Sequence, residues 1–193
     1  MIAGETGSST ADPIRPTISV GRVVVFWTIA LLGSAFDLGT KAYVFRWLGE
    51  PGVRGPFSVV PNILDLQTSY NLGALWGFMR DVPHSSLIFA VLSIIAAIGI
   101  CVWLFWLRAA VDRGLTIALA LIMAGALGNC YDRLMLGKVR DFVHFHVDPV
   151  NFDCAIFNFA DNMLVLGAVT LVLLALRPES SSDSGAVEPV PST

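Results

Sequence analysis

The chain has 193 residues, 55% hydrophobic and 14% charged, with a formal net charge of −3 and a mean hydropathy of +0.71. A soluble domain carries about 25% charged residues, so this chain cannot cover its apolar surface with polar groups and needs lipid around it. Its Lys and Arg form no basic run, which argues against a nucleic-acid partner, and its length suits one small bundle rather than two domains.

Residues 1–21 and 178–193 are rich in Ser, Pro, Thr, Gly and acids. Such segments bury too little apolar surface to offset chain entropy, so both ends are expected as disordered tails around a membrane domain at 22–177. The first apolar stretch runs over about 23–45, and spanning takes roughly 20 residues. It has a rival reading, because Arg22, the apolar run 23–32 and Gly33-Ser34-Ala35 resemble a signal peptide with its cleavage site. Against that, apolar residues continue to Phe45, and Asp37 and Lys41 stand inside the run. These two are four apart with the acid first, which puts them on one helix face in the better order. They read either as a mutually neutralising pair or as a brace for an active site, and in both cases they face the bundle interior.

The segment from about 46 to 84 holds Pro51, Gly52, Gly55, Pro56 and Pro61, then an apolar–polar alternation over 63–70. That pattern predicts a small extracytoplasmic β-rich cap lying on the bilayer. Asn71-Leu72-Gly73-Ala74-Leu75-Trp76-Gly77 follows. Its glycines permit close backbone approach, and it reads equally as a tight turn or as a polar Asn held at the mouth of a site. The second apolar stretch, about 85–107, contains no charge.

The third stretch, about 115–136, closes on Gly125-Ala126-Leu127-Gly128-Asn129-Cys130-Tyr131-Asp132-Arg133. Gly125 and Gly128 would let another helix approach. Asn129 shares a helical face with Asp132 and with Arg133, a cluster that must be satisfied internally near lipid. Polar packing glue and a functional site both fit. Val139-Arg140-Asp141-Phe142 comes next, and Phe157-Asn158-Phe159-Ala160-Asp161 opens the fourth stretch, about 158–176. Asn158 and Asp161 have the spacing of a helix N-cap pair, so Asp161 is also explicable as a first-turn acid facing the helix dipole. The fold class expected is therefore an all-α membrane protein of four transmembrane helices, with the β-rich cap between helices 1 and 2.

Cys101, Cys130 and Cys154 lie far apart and read as apolar fillers. His84, His144 and His146 are loop-placed, and no Cys/His set has ligand spacing, so the sequence assigns no metal and no cofactor. His144 and His146 are expected to meet headgroups or water. Four spans place both termini on one side, with Arg15, Arg22, Arg108, Arg113 and Arg177 there and Arg46, Arg54, Arg80, Lys138 and Arg140 opposite. That even split of positive charge does not orient the chain.

Two carboxylates near hydrocarbon, Asp141 and Asp161, suggest two acids sharing one proton to activate a water. In order, D-x-x-x-K, N-x-G-A-x-x-G, G-N-x-x-D-R, V-x-D-F and F-N-x-A-D resemble the motifs of the lipoprotein signal peptidases, also called signal peptidase II. The resemblance runs from Asp37 to Asp161, leaving out the tails, and it departs mildly at Trp76 and in the long N-terminal tail. It implies an integral aspartic endopeptidase of the bacterial cytoplasmic (inner) membrane, which removes signal peptides from diacylglyceryl-modified prolipoproteins. By motif, the catalytic pair falls on Asp141 and Asp161. Asn71, Asn129, Arg133 and Asn158 match polar residues lining the site, and Asp37, Lys41 and Asp132 match structural polar residues. The resemblance also implies an active site toward the outer face and both termini in the cytoplasm. Membrane lipid and the prolipoprotein are the partners expected, with no nucleic acid, and a monomer.

Overall fold

The computed structural model describes residues 18–73, 79, 81–107 and 109–177. Residues 1–17 and 178–193 of the expected tails, and Ala74, Leu75, Trp76 and Gly77 of the glycine-rich segment, lie outside the described residues, while the first helix begins at Val20, inside the stretch expected as tail. The elements in chain order are α1 (Val20–Leu48), β1 (Phe57–Val60), β2 (Leu64–Asn71), α2 (Ser85–Cys101), α3 (Arg113–Leu136), β3 (Val139–Val147), β4 (Phe152–Asp153) and α4 (Phe159–Ala175). A π-helical stretch, Val102–Trp106, prolongs α2.

Among the described residues three helices are long and apolar enough to cross a membrane: α1, α3, and α2 with its extension to Trp106. The fourth, α4, is apolar but has 17 residues. Several of these helices begin or end where the sequence supplies a reason. Gly49 stops α1 at φ 83°, and the Asp112 carboxylate caps α3 by accepting from Leu115 N–H at 2.6 Å. Asn158 and Asp161 form a reciprocal capping box at the start of α4, which satisfies two otherwise orphaned N–H groups.

The third helix is the centre of the bundle, packing against α1, α2 and α4. Its apolar window is 61% buried, against 17% for α1 and for α2. Glycine makes this possible. A Cβ on Gly125 would strike the Ala160 carbonyl and Leu164 of α4, and one on Gly128 would strike the Asp37 carboxylate of α1. The outward faces are apolar, with Leu31, Leu32 and Phe36 of α1, Ile95 and Ile98 of α2, and Leu166 and Leu173 of α4 all exposed. A surface of that kind suits hydrocarbon and not water.

The sheet is antiparallel in the order β1-β2-β3-β4, and here the structure departs from the expectation. The alternation over 63–70 points to a cap built from the 46–84 segment alone, but half of the sheet comes from the connection between α3 and α4. The strand β3 pairs with β2 in a register that sets Asp65 opposite His144, Ser69 opposite Asp141 and Asn71 opposite Val139. A register irregularity lies between Leu66 and Ser69. Phe142 and Val143 on β3 pack with Val44 and Leu48 of α1, joined by Phe157 and Phe159. Burying such side chains contributes roughly 1.5–3 kcal/mol each. That cluster pins the sheet to one end of the bundle, while Phe26, Leu104 and Met123 belong to a second cluster.

Candidate active site

Two backbone contacts aim Asp141 at α4. The Phe157 carbonyl accepts from both Phe142 N–H (3.0 Å) and Val143 N–H (2.8 Å), which holds the middle of β3 against the residue that precedes the α4 cap. Asp141 and Asn158 are thereby neighbours, and Asn158 Nδ2 donates to Asp141 Oδ1 at 2.5 Å. The same Asn158 accepts Asp161 N–H on Oδ1 at 3.0 Å and gives its own N–H to Asp161 Oδ2 at 3.1 Å. One fully buried asparagine therefore touches both carboxylates.

Behind Asp161 a polar chain runs across three helices. Asn129 of α3 donates through Nδ2 to Asp161 Oδ1 at 2.8 Å, and its Oδ1 accepts from Lys41 Nζ at 2.9 Å. Lys41 is paired with Asp37 at 2.7 Å, both side chains fully buried. Asp37 Oδ1 in turn accepts Ala160 N–H at 2.8 Å, a donor in the first turn of α4. Lys41 also lies 3.7 Å from Asp132. Asp132 holds β3 through Arg140, accepting its backbone N–H at 3.0 Å, Nε at 3.1 Å and Nη2 at 2.7 Å. Fully buried ions survive only with partners of this quality.

All nine residues singled out from the sequence meet in this one region. Asn71 ends β2 and its side chain hydrogen-bonds Asp141, while its Oδ1 accepts Gly73 N–H at 2.9 Å. Arg133 donates to the Gly73 carbonyl at 3.1 Å and lies 5.3 Å over the Phe89 ring of α2. Its Nε is buried and without an acceptor among the described residues. Sequence reasoning missed Arg140 and Phe89. Arg140 carried a signal, since it sits inside the V-x-D-F motif next to Asp141, but nothing local showed that it answers Asp132.

Asp141 is 2% exposed. Burial, and then the charge of nearby Asp161, push its carboxyl up to about 7 from an ordinary value of 3.8. A raised acid beside a second acid is the arrangement that lets one group donate a proton while the other accepts one. Asp161 is only partly buried. It opens on a groove of about 380 Å³ between α2, α3 and α4, with Asn129 and Arg133 at its polar end and Leu92, Ala96, Ile122, Leu164 and Val165 along its walls.

The model of the family described as "Signal peptidase (SPase) II" matches residues 29–177. The chain belongs to the signal peptidase II family. It is 34% identical over 183 residues to the lipoprotein signal peptidase of Rhodopirellula baltica, covering 86% of this chain and 80% of the relative. The lipoprotein signal peptidase of Pseudomonas aeruginosa is 34% identical over 165 residues, covering 85% of this chain and 94% of that one. Among solved structures, a bacterial membrane enzyme determined by the in meso method at 2.3 Å is similar with a TM-score of 0.72 and 30% identity, covering 86% of this chain and 96% of its own. Membership in signal peptidase II makes the chain a membrane peptidase. The matched region takes in the sheet, the last three helices and most of the first, so both carboxylates lie inside it.

Proposed function

We propose that the chain is an aspartic endopeptidase of the bacterial inner membrane that removes the signal peptide from diacylglyceryl-modified prolipoproteins, cutting before the lipidated cysteine. The observation that carries the reading is the shared Asn158 contact between a partly exposed Asp161 and a buried Asp141 whose carboxyl is held near 7.

Each group then has a task. Asp161 accepts hydrogen bonds from Asn129 and from the Asn158 backbone and lies in the first turn of α4, where the helix dipole favours negative charge. It serves as the carboxylate that takes a proton from water. Asp141, protonated, donates to the scissile carbonyl oxygen as the hydroxide adds to its carbon. The tetrahedral intermediate collapses when the proton gained by Asp161 passes to the leaving cysteine nitrogen, the C–N bond breaks, and a hydroxyl of the intermediate returns its proton to Asp141. Asn71 and Asn158 hold the Asp141 carboxyl in place. Arg133, whose buried Nε has no acceptor among the described residues, holds a substrate backbone carbonyl beside the pair. Lys41, Asp37 and Asp132 are structural, holding Asn129 and β3 in place.

The groove accounts for the lipid. Its walls are apolar and its end is polar, so acyl chains can lie between α2 and α4 with the peptide drawn toward Asp161. We take α4 as a fourth span. At 1.5 Å per residue its 17 residues cover about 25 Å, which modest bilayer thinning accommodates. Four spans put both termini on one side, and that side is the cytoplasm when the sheet and the acid pair lie at the outer face; the enzyme works as a monomer. Processing after translocation requires the pair at that outer face. The deciding experiment is complementation of a strain lacking its lipoprotein signal peptidase. Restored prolipoprotein processing by the wild type, and accumulation with Asp141→Asn or Asp161→Asn at equal membrane level, is the expected result. Processing by either variant at the wild-type rate would refute the mechanism.

A further inference from the structure

Strand pairing builds a second cluster that the sequence does not display. Asp65 on β2 sits opposite His144 on β3, and His146 on β3 sits opposite Asp153 on β4. Alternation places His144 and His146 on one face of the strand, where their rings stack at 5.0 Å. His146 Nε2 lies 3.1 Å from Asp65 Oδ2, although 81 positions separate the two residues. One potential ligand atom from each of Asp65, His144 and His146 falls within 4.8 Å of the other two.

Three details go beyond a chance gathering of polar groups. Asp65 Oδ1 is buried and accepts nothing among the described residues, and a buried carboxylate oxygen in that state has room for a donor or a cation. His146 Nδ1 meets Asp148 Oδ1 at 2.7 Å, which suits an Nδ1–H donor, so that a cation between Nε2 and Asp65 would take the place of the proton that otherwise joins them. A carboxylate that fixes the far nitrogen of an imidazole is the usual support of a histidine metal ligand. Lastly, His144 Nε2 meets Asp153 Oδ1 at 2.6 Å, which brings a second carboxylate, 76% exposed and free to turn, to the same place. Zinc–ligand bonds of roughly 2.0–2.2 Å put tetrahedral ligand atoms roughly 3.4 Å apart, a value between the 3.1 Å that separates Asp65 Oδ2 from His146 Nε2 and the 4.8 Å within which all three ligand atoms fall.

We propose that Asp65, His144 and His146, completed by Asp153, form a site for a late first-row divalent cation, with Zn2+ as its natural probe. Two imidazoles and two carboxylates are a borderline-soft set that suits zinc, copper or nickel better than magnesium or calcium. The ion would tie β2, β3 and β4 together beyond Asp141, so its role is to clamp the sheet and not to act on the peptide bond.

The test uses the full-length protein in detergent, free of any polyhistidine tag and stripped with EDTA, titrated calorimetrically with ZnCl2. The expected result is one saturable site per chain at micromolar or lower Kd. His146→Gln, His144→Gln and Asp65→Asn should each weaken it at least tenfold, while His84→Gln and Cys154→Ser leave it unchanged. Saturating zinc should raise Tm by several degrees, and chelation below Tm should leave cleavage running. X-ray absorption on zinc-loaded wild type needs no variant, and should show two imidazoles with oxygen ligands. No saturable binding up to 100 µM, sulfur among the ligands, or binding undiminished in His146→Gln would overturn the proposal.

Discussion

The Asp141→Asn variant should be inactive and yet more stable than the wild type at pH 8. The folded carboxyl is held near 7 against an ordinary 3.8, a difference of about 3 units at about 1.36 kcal/mol each. The folded state thus binds a proton that the unfolded chain releases, and stability falls as pH rises between these values. Full stability is present below about pH 4, and about 4 kcal/mol has been lost once pH passes 7. Asparagine does not titrate, and its Oδ1 can still accept from Asn158. Asp161, Arg133 and Lys41 are present in both proteins, so the difference isolates the Asp141 charge together with its burial and its interactions with them. The two proteins should therefore melt together near pH 4.5 and diverge with rising pH. At about 2–4 °C per kcal/mol for a chain of this size, the gap at pH 8 is on the order of 10 °C. Tryptophan-fluorescence melting of both proteins in one detergent, from pH 4.5 to 8, reads this directly. A gap that stays constant with pH, or a wild type that gains on the variant as pH rises, would refute the burial argument for Asp141.

The Asp161→Asn protein should fold normally and lose about 100-fold or more in kcat/KM, scored with a purified lipidated peptide. Cleavage by the wild type should decline as pH rises through about 7, because Asp141 then loses the proton it donates; a rate that keeps climbing to pH 9 would exclude that role. Asp132→Asn strips the charge that Arg140 and Lys41 share, and Lys41→Met leaves Asp37 unpaired. Each should cost about 3–5 kcal/mol of stability, so yield and Tm fall while activity per folded molecule is retained; a stable but inactive Asp132→Asn would move that residue into the chemistry. Matched peptides with and without diacylglyceryl cysteine should differ strongly in kcat/KM if the groove beside Asp161 holds acyl chains, and equal rates would mean that only the peptide is read.

The helices were legible because hydrophobic run length is a local property. The stretches read as 23–45, 85–107, 115–136 and 158–176 lie within a few residues of the observed helices, once the π-helical extension of α2 is included. The Asn158–Asp161 cap was also legible, since its partners lie three positions apart. Pairings across distance were not. The V-R-D-F-V-H-F-H-V run of β3 alternates as a strand should, but its partner in β2 lies far back in the chain. With that partner hidden, His144 and His146 read as loop residues and the sheet as a product of one connection. The Lys41–Asn129 bond spans 88 positions, and no pattern in either helix announces it. The two ends of each such contact were visible as polar residues that needed a partner, and only the fold says which partner each one found.

The buried polar centre also keeps a proton count. Asp37, Asp132, Asp141 and Asp161 contribute four acids, while Lys41, Arg133 and Arg140 contribute three bases, all linked by the contacts around Asn129, Asn158 and Asp132. In a low-dielectric interior the favoured total is zero, and zero is reached with a single proton among the four acids. An aspartic mechanism needs that same number. The residues that never touch the scissile bond balance among themselves, Asp37 and Asp132 against Lys41 and Arg140, so the single proton is left to Asp141 and Asp161 beside Arg133.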